Sequence, residues 1–211
     1  MRQNVAVHAR VVVLAGPSGA GKSRLAERLG LPVLRLDDFY KSGSDPSLPR
    51  ITHGANAGLV DWDHPDSWHL EAALVAIRGL CHDGRAEVPI YSIPDNGVVG
   101  TRPLEVGHHR FFIAEGIFAA EVVPECEGHG LLAVAYCLRQ HPLLTFWRRL
   151  ARDLQERRKP PLVLVRRGFA LMRDQRRVVA HAVSRGCEAI TPQEAYTAIA
   201  RLESAARPVE P

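Results

Sequence analysis

Gly16-Pro17-Ser18-Gly19-Ala20-Gly21-Lys22-Ser23 stands between the apolar run Val11-Val12-Val13-Leu14-Ala15 and the amphipathic segment Arg24-Leu25-Ala26-Glu27-Arg28-Leu29. The order is strand, glycine-rich turn, helix, and the turn reads G-x-x-x-x-G-K-S, the pattern of a loop that cradles phosphate. Glycines let the backbone curl until successive N–H groups point inward at an anion. The helix N-terminus sets its partial positive charge behind the same anion. In such a loop Lys22 bridges the outer phosphates of a nucleotide, and the Ser23 hydroxyl faces the magnesium ion that travels with it. Residues Gly16, Pro17, Ser18, Gly19, Ala20, Gly21, Lys22 and Ser23 are therefore the expected nucleotide-binding set. A glycine-rich turn with an unrelated lysine is the bland alternative; the flanking strand and helix weigh against it.

Outward from this loop, the helix is expected to run to about Leu29, with Gly30 as its C-cap. Pro32-Val33-Leu34-Arg35-Leu36 reads as a second strand that delivers Asp37-Asp38-Phe39-Tyr40 at its carboxyl end. Ligands of open α/β sheets bind outside the carboxyl ends of strands, so one carboxylate there is expected to act and the other to support. Alternatively, either aspartate only caps the next helix. Arg110 to Gly116 is another buried-type strand ending in an acid, Glu115, placed to hold magnesium directly or through water. Leu131 to Leu138 and Cys187 to Ile190 complete the strands, and Thr191-Pro192-Gln193-Glu194 carries the cap, proline and acids of a helix start. Strands alternating with helices predict an α/β, three-layer fold with an open, mainly parallel sheet of about five strands.

The connections carry their own signals. Lys41 to Gly58 is rich in Ser, Gly, Pro and Asn without apolar periodicity, and reads as a loop at the active-site end. Val60-Asp61-Trp62-Asp63-His64-Pro65-Asp66-Ser67-Trp68 precedes a helix through Leu70, Leu74, Ile77 and Leu80, with Ser67 as its expected N-cap and Glu71 in its first turn. Trp62 is either a stacking wall for a planar substrate or a core aromatic. Val88 to Ile93 and Gly97 to Thr101 read as an antiparallel hairpin turned by Pro94-Asp95-Asn96-Gly97. Inserted into an α/β alternation, it is either a substrate-recognition piece or an edge cover.

The chain of 211 residues with a net charge of +4 suits one domain, 1–211, with the hairpin insertion at about 88–106 and a lid at about 148–165. No apolar run approaches the ~20 residues that span a bilayer. Met1 to Arg10 lacks a signal-peptide core, and the four cysteines have no metal-ligand or redox spacing, so reduced thiols in a cytoplasmic protein are expected. Arg148, Arg149, Arg152, Arg157, Arg158, Lys159, Arg166 and Arg167 crowd one stretch. They read as a cluster closing over polyphosphate, a nucleic-acid surface, or a solvated helix face. The scarcity of interleaved aromatics argues against single-strand binding, and no nucleic-acid partner is expected.

Taken in order, these stretches resemble the uridine kinase (uridine–cytidine kinase) family of P-loop kinases, related to phosphoribulokinase. Asp37-Asp38-Phe39-Tyr40 is similar to the family's D-S-F-Y, Trp62-Asp63-His64-Pro65-Asp66 to F-D-H-P-D, and Pro89-Ile90-Tyr91 to the start of P-x-Y-D. Glu115-Gly116-Ile117 matches E-G-I, and Arg148-Arg149-Leu150-Ala151-Arg152-Asp153 is similar to the lid helix R-R-x-x-R-D. The resemblance spans Val11 to about Pro192. It implies Asp37 as the base for a nucleoside 5′-hydroxyl, and Lys22, Arg149 and Arg152 as its catalytic companions. It also implies Ser23 and Glu115 at magnesium, Arg157 as a further basic lid position toward the nucleotide, and Tyr40, Trp62 and Tyr91 as aromatic walls. Asp63 is implied at the ribose hydroxyls. Where the family has an acid after the tyrosine this chain has Ser92, and near its base-reading histidine it has Pro94-Asp95-Asn96. Asn96, with a donor and an acceptor, can still hydrogen-bond a pyrimidine edge.

The expectation is thus a magnesium-dependent kinase moving the γ-phosphoryl group of ATP or GTP to a small-molecule hydroxyl, with the 5′-hydroxyl of uridine or cytidine as the favoured acceptor. Dimers or tetramers are implied only by the resemblance. The alternatives are a kinase of the same fold acting on another alcohol (a sugar phosphate, a pantothenate-like alcohol, a modified nucleoside) or a nucleotide-dependent binding module.

Overall fold

Strand β1, Arg10–Ala15, is flanked on both sides by strands from far along the chain, and every residue from Val11 to Ala15 is buried. The computed structural model describes residues 7–54, 56–140 and 175–206. Along it follow α1 (Lys22–Leu29), β2 (Val33–Arg35), α2 (Leu70–Asp83), β3 (Arg85–Ser92), β4 (Gly97–Glu105) and β5 (Phe111–Glu115). Then come α3 (Val123–Gly128), β6 (Leu132–Leu138), the helix α4 (residues 175–184), β7 (Glu188–Ile190) and α5 (Pro192–Ala206). The sheet order is β2-β5-β1-β6-β7, every pair parallel. The five-stranded parallel sheet expected from the alternation is present.

Side-chain alternation along β1 divides the core into two layers. Val11, Val13 and Ala15 face one cluster with Leu74, Ile77 and Leu80 of α2 and Val123 and Cys126 of α3. Val12 and Leu14 face the other, with Leu25 and Ala26 of α1 and Ala195 and Ile199 of α5. Burying each such aliphatic side chain is worth about 1.5–3 kcal/mol. On the second face the Arg28 guanidinium lies 4.3 Å over the Tyr196 ring, joining α1 to α5. The register sets Val13 opposite Ala114 and Ala135, and Leu14 opposite Glu115, which brings Glu115 to the carboxyl edge beside the glycine-rich loop.

Helix ends follow local chemistry. Gly30 closes α1 in the left-handed conformation at φ 66°, and Thr191 and Glu194 form a reciprocal capping box at the start of α5. Ser67 does not cap α2, correcting the sequence expectation. It closes a single 3-10 turn, Pro65–Ser67, with its hydroxyl donated to the carbonyls of His64 (2.7 Å) and Trp62 (3.3 Å), and α2 starts beyond His69. The hairpin is longer than expected, 85–105, and forms a separate two-stranded sheet. Its Val88 joins the α2 cluster, with Ala86 and Leu104 packed against it. A 3-10 turn at Ala119–Val122 and the short α3 had no counterpart in the sequence reading. All four cysteines are buried and free, with thiols pushed by burial up to about 12 for Cys81, Cys126 and Cys187 and about 11 for Cys137. No helix among the described residues is long and apolar enough to cross a membrane.

Candidate active site

The glycine-rich loop turns through positive φ at Gly16 (130°), Gly19 (84°) and Gly21 (95°). Gly16 is also required by contact, because a Cβ there would lie 2.7 Å from the Leu138 carbonyl oxygen at the end of β6. Lys22, only 9% exposed, folds back over the loop and donates to the carbonyls of Gly16 (2.9 Å) and Pro17 (3.4 Å). The first turn of α1 has no side-chain cap, which leaves phosphate oxygens as natural partners for its N–H groups.

At the start of that helix the Ser23 hydroxyl donates to Glu115 Oε1 at 3.1 Å. Burial raises the Glu115 carboxyl above its ordinary value, and the Lys22 ammonium opposes that shift. A hydroxyl and a buried carboxylate at the phosphate end fit magnesium. That ion takes hard oxygen ligands and is held by one or two protein groups together with nucleotide phosphates and waters. Among the described residues no group of three or more His, Cys, Asp or Glu forms a metal cage of its own.

Asp37 and Asp38 lie on a 3-10 turn, Leu36–Phe39, just past the end of β2. The two carboxylates part there. Asp37 is exposed, and its Oδ1 accepts the Ile117 N–H at 3.0 Å. Asp38 turns toward the hairpin, where burial raises its carboxyl against the opposing effects of Arg35, Arg102 and the Tyr91 N–H. Gly116 permits the first arrangement: a Cβ on it would come within 2.7 Å of Asp37 Oδ1. Trp68 Nε1 donates to the Leu36 carbonyl at 2.6 Å and pins the turn from beneath.

Beyond Asp37, Tyr40 is the hub of an aromatic group. Its ring centroid lies 5.8 Å from Trp62, 5.9 Å from Tyr91 and 5.7 Å from Phe118, and its hydroxyl donates to the Trp62 carbonyl at 3.1 Å. Burial raises the Tyr40 hydroxyl strongly, and the charges of Asp37 and Asp63 push the same way. Trp62 is half-buried and Asp63 exposed on the same rim. Asn96, at the hairpin tip, accepts the Tyr91 hydroxyl at 3.1 Å through Oδ1.

Lys22, Ser23, Glu115 and Asp37 thus share the carboxyl edge of the sheet, with Tyr40, Trp62, Asp63 and Tyr91 beyond them. Arg149, Arg152 and Arg157, and the lid as a whole, lie outside the described residues. Sequence reasoning missed Phe118, the Ile117 N–H and Trp68 as parts of this site. Phe118 directly follows Glu115-Gly116-Ile117, and its position three residues past a strand-end acid was the available signal.

No protein-family model matches the chain. A uridine kinase from Lactobacillus johnsonii is 23% identical over 195 residues, covering 87% of this chain and 86% of that protein. The inorganic pyrophosphatase TTM1 from Arabidopsis thaliana is 32% identical over 114 residues, covering 52% of this chain but only 16% of the plant protein. Among solved structures, a candidate fructose transport system kinase from Silicibacter sp. TM1040 superposes with a TM-score of 0.59 at 19% identity, covering 85% of this chain and 87% of that one. The chain resembles the uridine kinases, and its fold is that of a P-loop kinase. The likeness to the uridine kinase supports a phosphotransferase.

Proposed function

We propose that this protein transfers the γ-phosphoryl group of ATP or GTP to the hydroxyl of a small molecule, with the 5′-hydroxyl of uridine or cytidine as the favoured acceptor. The observation that carries the reading is the separation of roles at one sheet edge. A buried carboxylate, Glu115, bonded to the exposed Ser23 hydroxyl, stands with Lys22 at the phosphate loop. An exposed carboxylate, Asp37, is held by a backbone N–H next to an aromatic group. A binding module needs the first of these but has no use for the second.

In the reaction, Asp37 orients the acceptor hydroxyl and takes its proton as the oxygen bonds to the γ-phosphorus and the bond to the β–γ bridging oxygen breaks. The loop N–H groups and Lys22 hold the β- and γ-phosphates, and preorganisation of these donors supplies most of the rate. Ser23 and Glu115 would hold magnesium, which neutralises developing phosphate charge when bound. Tyr40, Trp62 and Tyr91 would enclose the acceptor ring, and Asp63 would accept hydrogen bonds from its sugar hydroxyls. Arg149, Arg152 and Arg157 complete the proposal as lid cations facing the phosphates.

A second reading keeps the chemistry and changes the acceptor to another alcohol. It is supported at Ser92, where the resembling family has an acid and where this chain has a hydroxyl donated to the Asp95 carboxylate. The test is ADP or GDP release with magnesium across uridine, cytidine, purine nucleosides, deoxynucleosides, ribulose 5-phosphate and pantothenate, with mass spectrometry of the product. A pyrimidine nucleoside 5′-monophosphate supports the first reading. Turnover only with another alcohol supports the second, and no turnover with any acceptor despite nucleotide binding overturns the kinase reading.

A further inference from the structure

Asn96 is the only non-glycine residue with positive φ among the described residues, at 51° in the turn between β3 and β4. Both of its oxygens accept within the protein. The backbone carbonyl accepts the Gly43 N–H at 2.8 Å, and Oδ1 accepts the Tyr91 hydroxyl. The carboxamide also fills the space where a Cβ on Gly43 would sit, and Gly97 lies against the Ser42 hydroxyl in the same way. The same end of the 41–48 loop is also anchored by the Lys41 N–H, donated to the Ser67 carbonyl at 2.9 Å. This loop follows directly on the Asp37–Tyr40 turn and is bonded through Lys41 to the Trp62–Ser67 segment, so its contact with the hairpin tip joins Tyr91 to the elements that carry Tyr40 and Trp62.

We propose that Asn96 is a positioning residue: it clasps the hairpin tip to the 41–48 loop and fixes the Tyr91 ring, and so sets the width of the acceptor pocket without reading the acceptor's ring edge. The proposal rests on the acceptor-kinase reading above. A reader must leave donor and acceptor free toward the ligand, whereas Oδ1 already takes the Tyr91 proton and the amide group abuts Gly43. A left-handed residue in a turn serves a clasp, because asparagine tolerates that conformation and fixes the direction of both its carbonyls.

Asn96→Gly keeps the left-handed turn and removes the carboxamide; Tyr91→Phe removes the hydroxyl and keeps the ring. Each should raise the acceptor KM by about three- to tenfold, the loss expected for one exposed hydrogen bond and its ordering. The factor should be the same for uridine and cytidine, with kcat changed by no more than about twofold. The double variant should be no worse than the more impaired single, because both remove one bond. Gly43→Ala should raise KM through its clash with the carboxamide, and Asn96→Gly in that background should relieve the clash and leave KM no higher than in Asn96→Gly alone. Limited trypsin digestion gives a readout free of activity: cleavage at Lys41 and Arg50 should be several-fold faster in Asn96→Gly. A tenfold change in uridine-to-cytidine preference from Asn96→Gly, without one from Tyr91→Phe, would make Asn96 a reader and overturn the proposal. Unchanged trypsin cleavage would overturn the clasp. If the wild-type protein phosphorylates no acceptor, the acceptor reading fails on its own, and the trypsin rates still decide the clasp.

Discussion

Gly116→Ala tests the placement of Asp37 with a single methyl group. Gly116 is not among the positive-φ glycines, so alanine adds no backbone strain, and its effect comes from crowding alone. The new Cβ would meet Asp37 Oδ1 at 2.7 Å, Leu36 Cβ at 3.0 Å and Asp37 N at 3.3 Å. The carboxylate oxygen would then sit roughly 0.7 Å inside ordinary contact and must swing away, stretching the 3.0 Å bond from Ile117 N–H. A catalytic group misplaced on the ångström scale costs about 10²-fold, and overpacking of this size costs about 1–3 kcal/mol of stability. We expect kcat to fall by about 30- to 100-fold, with nucleotide affinity unchanged, since no atom of the phosphate loop is moved. Steady-state ADP release, titration with a fluorescent nucleotide analogue and a thermal melt separate the three quantities. In an Asp37→Asn background the same methyl should cost little further rate, because the group it displaces no longer acts as a base. A folded Gly116→Ala protein with kcat within about threefold of wild type would refute the assignment of Asp37.

Lys22→Ala should leave the fold intact and lower turnover by about 10²–10³-fold or more, the range for loss of one charge-stabilising donor; circular dichroism with ADP release checks it. Asp37→Asn should lose a comparable factor in kcat with nucleotide binding retained, and equal loss of binding would mark a structural role instead. For Glu115 the sign follows from burial, which holds its folded carboxyl above the ordinary 4.5. The folded state keeps the proton more tightly than the unfolded chain, so stability falls as pH climbs from 4.5 toward the raised value and is level above it. Glu115→Gln should therefore melt above wild type at neutral pH and level with it in acid, while binding magnesium-nucleotide about tenfold more weakly. Trp68→Phe removes the bond to the buried Leu36 carbonyl, and denaturant unfolding should report a loss of about 1–3 kcal/mol.

Much of this fold was legible because its strongest signals are local. Val11–Ala15 is apolar without alternation, as a strand covered on both faces must be, and the loop after it has little choice of conformation. Gly30 and the Thr191–Glu194 pair mark helix ends through chemistry confined to one turn. Short or competing elements were not legible. Val123–Gly128 has six residues with a proline in its first turn, too few for helical periodicity to register. Ser67 carries the residue type of a cap, but the preceding carbonyls of Trp62 and His64 captured its hydroxyl. In the site, the acids stood out as strand-end residues. Their division of labour did not, because the Ile117 N–H and the hairpin that draw Asp37 and Asp38 apart come from other parts of the chain.

The position of β1 at the centre of the sheet has a consequence for how the protein is made. Val11 pairs with Phe112 and Val12 with Val134, so this strand waits for partners that emerge roughly a hundred residues later. At ribosomal speed that is an interval of about 6–25 s during which a five-residue hydrophobic ribbon has neither neighbour. Contacts of such long sequence range make folding slow and leave the nascent chain open to self-association. Gly16 rests against Leu138, the last residue of β6. The phosphate loop, which precedes β6 by more than a hundred residues, is therefore among the last parts of the molecule to acquire its shape.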